Sequence, residues 1–588
     1  MRIKHFFGLA VIAAMTASCS SNNDLVNGGN GSGENESGAS YASITIDLPT
    51  TSSTRAANDQ FDGGTASEYA VNDATLVIFK KGTATSENDY QYVETASLGN
   101  LEPWKKDNTT DNGITTEATI TAELKQAAVG EDGDYYALVI LNNEKGTGKK
   151  VTLPTGTTTY GEWNVATNAN AANLVDNTKG FYMANAPEFT KNGTEPTTLV
   201  PIKGIYRTKE EAHSKPGTTV HVERGLAKVT VESNSTSDYF AAAGANATGN
   251  KYKSDNVKIT SWALDVTNNS SFPIHVTTGL KLGATLQGQA IPSYATIWNN
   301  VNKTTARFVS QLTAEGAFKR VYWGIDPNYS MDISDLAKCK AQFTLAEANG
   351  TGVTWNNGSG SDKPLYCLEN TFDIKNMLQG QTTRVLLKAT YTPSVLASET
   401  DKTFFMIGNS SDIWTKKNLT AQIKSKAEEV LKTTTGVTVT LKDKLLEGGT
   451  HFLDATTVEI KSGEDDKTSE VVDQLNTKLG LNKTNGVGIK TYKNGESYYI
   501  ARIKHFGDDL TPWNAGEATY GTDNDKYLGR YGVLRNNWYD LTINKISGPG
   551  YPDVPEVKPT DPDDENDKYI NVSVKILDWA KRSQSVEL

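Results

Sequence analysis

Two positions near the start of the chain carry covalent chemistry. Cys19 follows Thr16, Ala17 and Ser18, where a signal peptidase would cut, and a cysteine in that place points to the lipid acceptor of a bacterial lipoprotein. Thr16 stands where leucine is usual, and the alternative is plain secretion with Cys19 left over. Two or more fatty chains there hold a mature N-terminus firmly on a membrane. Arg55 is the first arginine or lysine after Lys4, and it ends a soft Thr/Ser run that follows Pro49. A polar, unpatterned backbone of this kind is easy to cut. The remaining reactive types are scattered. The histidines are His5, His213, His221, His275, His451 and His505, and none pairs with a cysteine or another histidine at metal-binding spacing. The chain has no Gly-x-Ser-x-Gly elbow and no glycine-rich phosphate loop with its lysine. Asp563, Asp564 and Glu565 sit in a run that lacks the turn glycine and closing glutamate of a calcium loop, so a solvated acidic linker is expected. The sequence therefore points away from an enzyme, a cofactor or a metal.

The element that a cut at Arg55 would free lies just before it. In residues 41–48, Ala42, Ile44, Ile46 and Leu48 point one way, while Tyr41, Ser43, Thr45 and Asp47 point the other. That is the period of a half-buried strand. Upstream, Arg2 and Lys4 precede an apolar core at 6–15, a secretory leader too short to span a bilayer. Residues 20–40 form a Ser/Gly/Asn tether. An apolar strand placed between a flexible tether and a cuttable segment is removable. Its loss is expected to take an edge strand from a sheet and leave a gap that another chain's strand can fill.

The 588-residue chain is too long for one core, so two or more domains are expected. Its Thr, Val, Ile and Tyr, with Gly and Asn at turns, favour a mainly β fold. A balance of 58 Lys and Arg against 69 Asp and Glu, net charge -11, argues against nucleic acid as a partner. Of three cysteines, Cys339 and Cys367 remain once Cys19 is lipidated. An exported protein can join them in a disulfide or keep two buried thiols, and the sequence leaves both open. Strand patterns fall at 74–79, 90–98, 114–124 and 135–141, the last apolar on both faces and so central. After Pro216 and Gly217 they resume at 219–231, 257–264, 383–391, 498–503, 538–543 and 569–579, which puts a domain boundary near 215. A short helix at 335–349 would carry Cys339. Leu419, Ile423 and Ala427 share one helical face, as do Val472, Leu475 and Leu479 of a second segment, so two helices are expected as insertions in the second domain. Trp104, Trp163, Trp298, Trp323, Trp355, Trp414 and Trp513 lie in or beside turns, as core anchors or as exposed rings able to stack on a sugar or grip a protein.

Several stretches together resemble the fimbrillins of Bacteroidetes, and among them the shaft subunits of the short fimbriae of Porphyromonas. They are the lipoprotein leader, Arg55 followed by Ala56 and Ala57, the run from Arg224 through Gly225, Leu226 and Ala227 to Lys228 and Val229, and the run 366–372 that opens Tyr366-Cys367-Leu368-Glu369. The most specific is 531–539, with Arg535-Asn536-Asn537-Trp538-Tyr539 at its end, and 572–579 closes the set. The resemblance implies two tandem transthyretin-like β-sandwiches with short helical insertions in the second. It implies a leader at 1–19, a propeptide at 20–55, sandwiches at 56–215 and 216–568, and a donor region at 569–588. An arginine-specific protease would cut between Arg55 and Ala56 and release the strand of Ala42, Ile44, Ile46 and Leu48. The open groove would accept a C-terminal strand from the next copy, making a head-to-tail fibre with accessory tip and anchor subunits on the outer membrane and cell surface. Such fibres support adhesion to host or bacterial surface proteins, coaggregation and biofilm formation. Two donors compete: the strand whose Ile570, Val572, Val574 and Ile576 share a face, and the tail with Val586 and Leu588. The alternatives are a monomeric surface lipoprotein that binds glycan or peptide, and a fimbrial tip or anchor subunit.

Overall fold

The computed structural model describes residues 38–578 outside the breaks 49–64, 100–116, 190–195, 234–238, 242–250, 278–284, 291–318, 506–527 and 563–569, with one- or two-residue breaks elsewhere. Cys19, Arg55, Ala56, Val586 and Leu588, the acidic run at Asp563, and Trp104, Trp298 and Trp513 lie outside the described residues. Among the described residues no helix is long and apolar enough to cross a membrane.

The fold is mainly β. The first unit contains β1 (Ser40–Asp47), α1 (Ala66–Tyr69), β2 (Ala74–Lys80), β3 (Gln91–Ser97), β4 (Glu117–Leu124), β5 (Tyr135–Leu141), β6 (Met183–Asn185), α2 (Lys209–Ser214) and β7 (Thr218–Arg224). These strands make one sheet in the order β3-β2-β5-β6-β7-β1-β4, with the short strand Val200–Pro201 beside β5. Edge strands β3 and β4 also approach each other, so the sheet folds over a core. Into that core point Ala42, Ile44, Ile46 and Leu48, with Leu76 and Ile78 of β2, Val139 of β5, and Val220 and Val222 of β7. The doubly apolar β5 is central, as its pattern requires: Leu138 and Ile140 point the other way, into a second cluster with Tyr160, Tyr182, Leu226 and Trp538.

β1 is not an edge strand. It lies between β7 and β4, parallel to the first and antiparallel to the second, so its outer neighbour β4 is joined to the sheet through it. Its polar side is also covered, since Ser43 and Thr45 are each 5% exposed. Alternation alone cannot report this, because a serine or threonine facing solvent and one facing a small-residue lid look alike in sequence.

The second unit is a two-sheet sandwich. One sheet runs β10 (Leu365–Cys367), β8 (Ala227–Ser233), β13 (Asn537–Ile546), β14 (Ile570–Asp578). The other is built on β9 (Asn256–Asp265), β11 (Arg384–Thr392) and β12 (Glu496–Arg502). Val229 and Leu541 of the first sheet pack on Trp262, Leu387 and Tyr499 of the second. The chain crosses between units at Gly225 and Leu226, because β7 still belongs to the first sheet. α3 (Leu336–Gln342) carries buried Cys339 and is capped by Asp335, whose side chain accepts from Lys338 N. α4 (Lys416–Leu431) and α5 (Thr468–Lys478) pack Leu419, Ile423, Ala427, Val472 and Leu475 into a core of their own with Phe405 and Ile489, while Phe404, Met406 and Tyr492 beside it belong to the sandwich core.

Candidate functional site

The groove that holds β1 has three walls. Along one side β7 pairs with it in register, Thr45 beside Thr219 and Asp47 beside His221. Along the other, β4 pairs Ser43 with Thr121 and Thr45 with Thr119, and the two threonine hydroxyls lie 2.9 Å apart. The floor is the apolar core. The roof is the segment from Tyr206 to Gly217. Tyr206 and Tyr41 exchange backbone bonds of 2.8 and 2.7 Å. α2 follows, capped by the Thr208 side chain, and packs on β1 and β4 with Ala212 fully buried. Pro216 and Gly217, which the sequence marks as a break between domains, end the roof.

Gly217 is small for a reason. A Cβ there would fall 2.3 Å from Thr45 Oγ1 and 3.2 Å from Thr45 N. Gly217→Ala should therefore destabilise the intact chain by about 1–3 kcal/mol, the usual range for overpacking. Urea unfolding checks this, and adding Thr45→Ala should restore most of the loss, because it removes the atom in the way.

At its far end the strand meets charge. His221 Nε2 is 3.6 Å from Asp47, and its Nδ1 is 3.3 Å from Glu188, all three side chains about a quarter exposed. An imidazole thus stands between a carboxylate of β1 and one of the body.

Three of the stretches that carry the resemblance, at Arg224, Tyr366 and Tyr531, serve a different place from this groove. They meet where the two units join. β8 pairs Lys228 with Tyr366 on one side and with Trp538 on the other, and Asn370 bridges Val533. Glu68 of α1 is fully buried there. Lys228 Nζ lies 3.0 Å from its Oε1 and 3.8 Å from the centre of the Trp538 ring. The Tyr366 hydroxyl also bonds Glu68, and burial beside that carboxylate pushes the phenol far above its ordinary pKa. Arg224 donates from Nε to Glu68 O at 2.7 Å and from its backbone N to Asn536 Oδ1 at 3.1 Å. Asn536 has φ 58°, a left-handed turn conformation that asparagine tolerates better than most residues. Arg535 is paired with Glu369 at 3.2 Å, both buried.

Other candidates are brought into the core rather than to a site. Cys339 and Cys367 are free thiols in separate clusters, so the disulfide alternative is not what the fold contains. Burial pushes both thiols up to about 12, which leaves them unreactive. His275 is buried 2.8 Å from Glu223, and His505 is buried 2.7 Å from the Tyr539 hydroxyl. Trp323 is fully buried and Trp163 nearly so, as core anchors, while Trp355 and Trp414 are half-buried. Ile570, Val572, Val574 and Ile576 belong to β14, which is laddered onto β13 over its whole length. No group of three or more potential metal ligands occurs among the described residues.

Residues 490–585 match a family model described as major fimbrial subunit protein type IV, fimbrillin, C-terminal. No curated protein matches the chain in sequence. Among solved structures, the chain is similar to a fimbrilin (fimA) from Porphyromonas gingivalis W83, at 13% identity and a TM-score of 0.36, covering 92% of this chain and 99% of that one. It is also similar to the tip fimbrial protein Mfa3 from Porphyromonas gingivalis, at 10% identity and a TM-score of 0.29, covering 92% of this chain and 100% of that one.

Proposed function

We infer that this fimbrillin-family chain is a structural fimbrial subunit of the cell surface, and that it polymerises when β1 is cut away and replaced by a strand from a second copy. In this reading Cys19 carries the lipid that holds the exported precursor on the outer membrane. A protease of arginine specificity cuts between Arg55 and Ala56. The released strand leaves β7 and β4 with unpaired N–H and C=O groups and the pockets of Ile44, Ile46 and Leu48 open to water, both costly. A strand from the C-terminal region of another copy restores both terms, as in other strand-addition contacts. A head-to-tail contact of this kind need not close on itself and so can give a filament. Adhesion, coaggregation and biofilm support would follow from the fibre, with tip and anchor subunits at its ends.

The observation that carries this reading is the place of β1. It is buried on both faces, flanked by two ladders, and linked to the body through the stretch that contains Arg55. A strand built so deeply into a sheet, yet attached by a cuttable segment, has a use as a removable plug. The test is the N-terminal residue of the protein recovered from the cell surface, measured beside the size of the same sample. Ala56 at the N-terminus of a polymer is the expected result. A lipid-modified Cys19 at the N-terminus of a monomer would replace this reading with that of an anchored binding protein. Removal of residues 581–588 should leave a folded monomer while polymer falls at least tenfold by light scattering, and undiminished fibres would move the donor elsewhere.

A further inference from the structure

We propose that Arg207 is a second cleavage site for the arginine-specific protease, closed while a strand occupies the β1 groove and open when the groove is empty. The proposal rests on the strand-exchange reading above and adds what becomes of a subunit whose groove stays unfilled.

The distribution of arginine is the first ground. Arginine ordinarily stays at a protein surface. Here Arg224, Arg384, Arg502, Arg530 and Arg535 are each 8% exposed or less. Arg384 is paired with Asp265 and Arg535 with Glu369, inside the fold. A protease that reads arginine finds little to grip on such a body. Among the described side chains Arg207 is the one exposed arginine, and Thr208, Lys209 and Glu210 after it are exposed too.

Exposure is not enough for a cut. The chain around the bond must be drawn out into the protease cleft, so local opening sets the rate. The groove controls that opening. Tyr206 exchanges backbone bonds of 2.8 and 2.7 Å with Tyr41 of β1. On the other side of Arg207, Thr208 caps α2, a helix of six residues. A helix so short does not hold itself. It is held because it packs on β1 and β4 with Ala212 fully buried. Loss of β1 removes both supports: the partner of Tyr206 and half of the floor under α2. Hydrolysis then breaks the amide between Arg207 and Thr208, with the hydroxyl of water going to the Arg207 carbonyl carbon and its proton to the Thr208 nitrogen.

This cut separates β4 from β7 in the chain, so the two walls of the groove are no longer parts of one continuous segment. A strand that fills the groove and reaches Tyr206 restores both supports and closes the site. The protease that empties the groove thereby also removes subunits that are left empty.

The test is digestion of the full chain carrying Arg55→Lys with a purified arginine-specific endoprotease. That chain keeps β1 attached, and the readout is a new N-terminus at Thr208, followed by mass. Both backbone groups of Tyr41 bond Tyr206, so adding Tyr41→Pro removes one roof bond without taking a donor from the ladder with β4. It should speed the Thr208 cut about threefold or more. Adding Ile44→Asp and Ile46→Asp instead puts charge into the apolar pockets, drives β1 out, and should speed the cut about tenfold or more. The buried arginines report whether the opening is local, since cuts after Arg224 or Arg384 should not accelerate. Where they do in the doubly substituted chain, Tyr41→Pro decides. Separately, the natural chain cut at Arg55 and freed of its strand by gel filtration should be cut at Arg207, and a synthetic peptide of residues 38–48 should slow that cut about tenfold. Equal Thr208 rates with and without Tyr41→Pro would overturn the control by β1, and no Thr208 end from any chain would overturn the site. Both results leave strand exchange standing. A strand that stays bound through gel filtration would tell against strand exchange instead, while the Arg55→Lys chains still decide the fate of Arg207.

Discussion

A precursor carrying Arg55→Ala will fold and stay monomeric under conditions in which the natural chain polymerises. Burial of Ile44, Ile46 and Leu48, at about 1.5–3 kcal/mol each, gives the groove contact roughly 5–8 kcal/mol of apolar stabilisation. In the uncut chain that strand is attached to its own groove, and a short tether holds it at an effective concentration of about 1 mM. A tail of equal quality from a neighbour at about 1 μM is then outcompeted roughly a thousandfold, about 4 kcal/mol. The proposed cut at Arg55 would remove this advantage, because the strand would no longer share a chain with its groove. The fraction of polymer formed by the Arg55→Ala chain should fall by two to three orders of magnitude. Size-exclusion chromatography of the purified variant beside the cut natural chain reads this directly. Full-length fibres from the variant would show that the strand is displaced without proteolysis.

Local order was legible in the sequence, and non-local order was not. The strand of Ala42, Ile44, Ile46 and Leu48, the central strand 135–141 and the two insertion helices follow from periodicity within a dozen residues. The interior place of β1 does not, because it depends on parallel pairing with residues 218–221, far along the chain. Pro216 and Gly217 lie within about ten residues of the crossing at Gly225 and Leu226, but the break they mark is a local one. They end the roof over β1, and the chain stays in the first sheet through Arg224. Glu68 carried no signal at all. It lies just after a polar segment and becomes a buried acid only because Lys228, 160 residues away, and Tyr366, 298 away, come to it. The stretches at Arg224, Tyr366 and Tyr531 stood out by type and spacing, but their common task, joining the two units, appears only once β10, β8 and β13 lie side by side.

That junction yields the second large effect. Lys228→Ala should destabilise the folded chain by about 3–5 kcal/mol, because it removes a cation paired with the buried Glu68 carboxylate. Loss of the contact with the Trp538 ring adds to this. Lys228→Met keeps most of the side-chain volume and should still cost nearly as much, which separates charge from packing. The double variant Glu68→Gln, Lys228→Met should recover to within about 1–2 kcal/mol of the natural chain, since a buried pair is worth little more than well-packed neutral residues. Urea unfolding on the Arg55→Ala background gives these values without interference from polymers. The consequence reaches the fibre. α1 is the first described element after Arg55, and the Glu68–Lys228 pair ties it to β8, just past the turn from β7. A pull on a strand seated beside β7 passes through that turn into β8 and on to β13 and β14. Lys228→Ala subunits that still assemble should therefore give fibres that break at lower force. A cost below about 1 kcal/mol in urea would instead assign the junction to its apolar contacts, Leu226, Leu368 and Trp538.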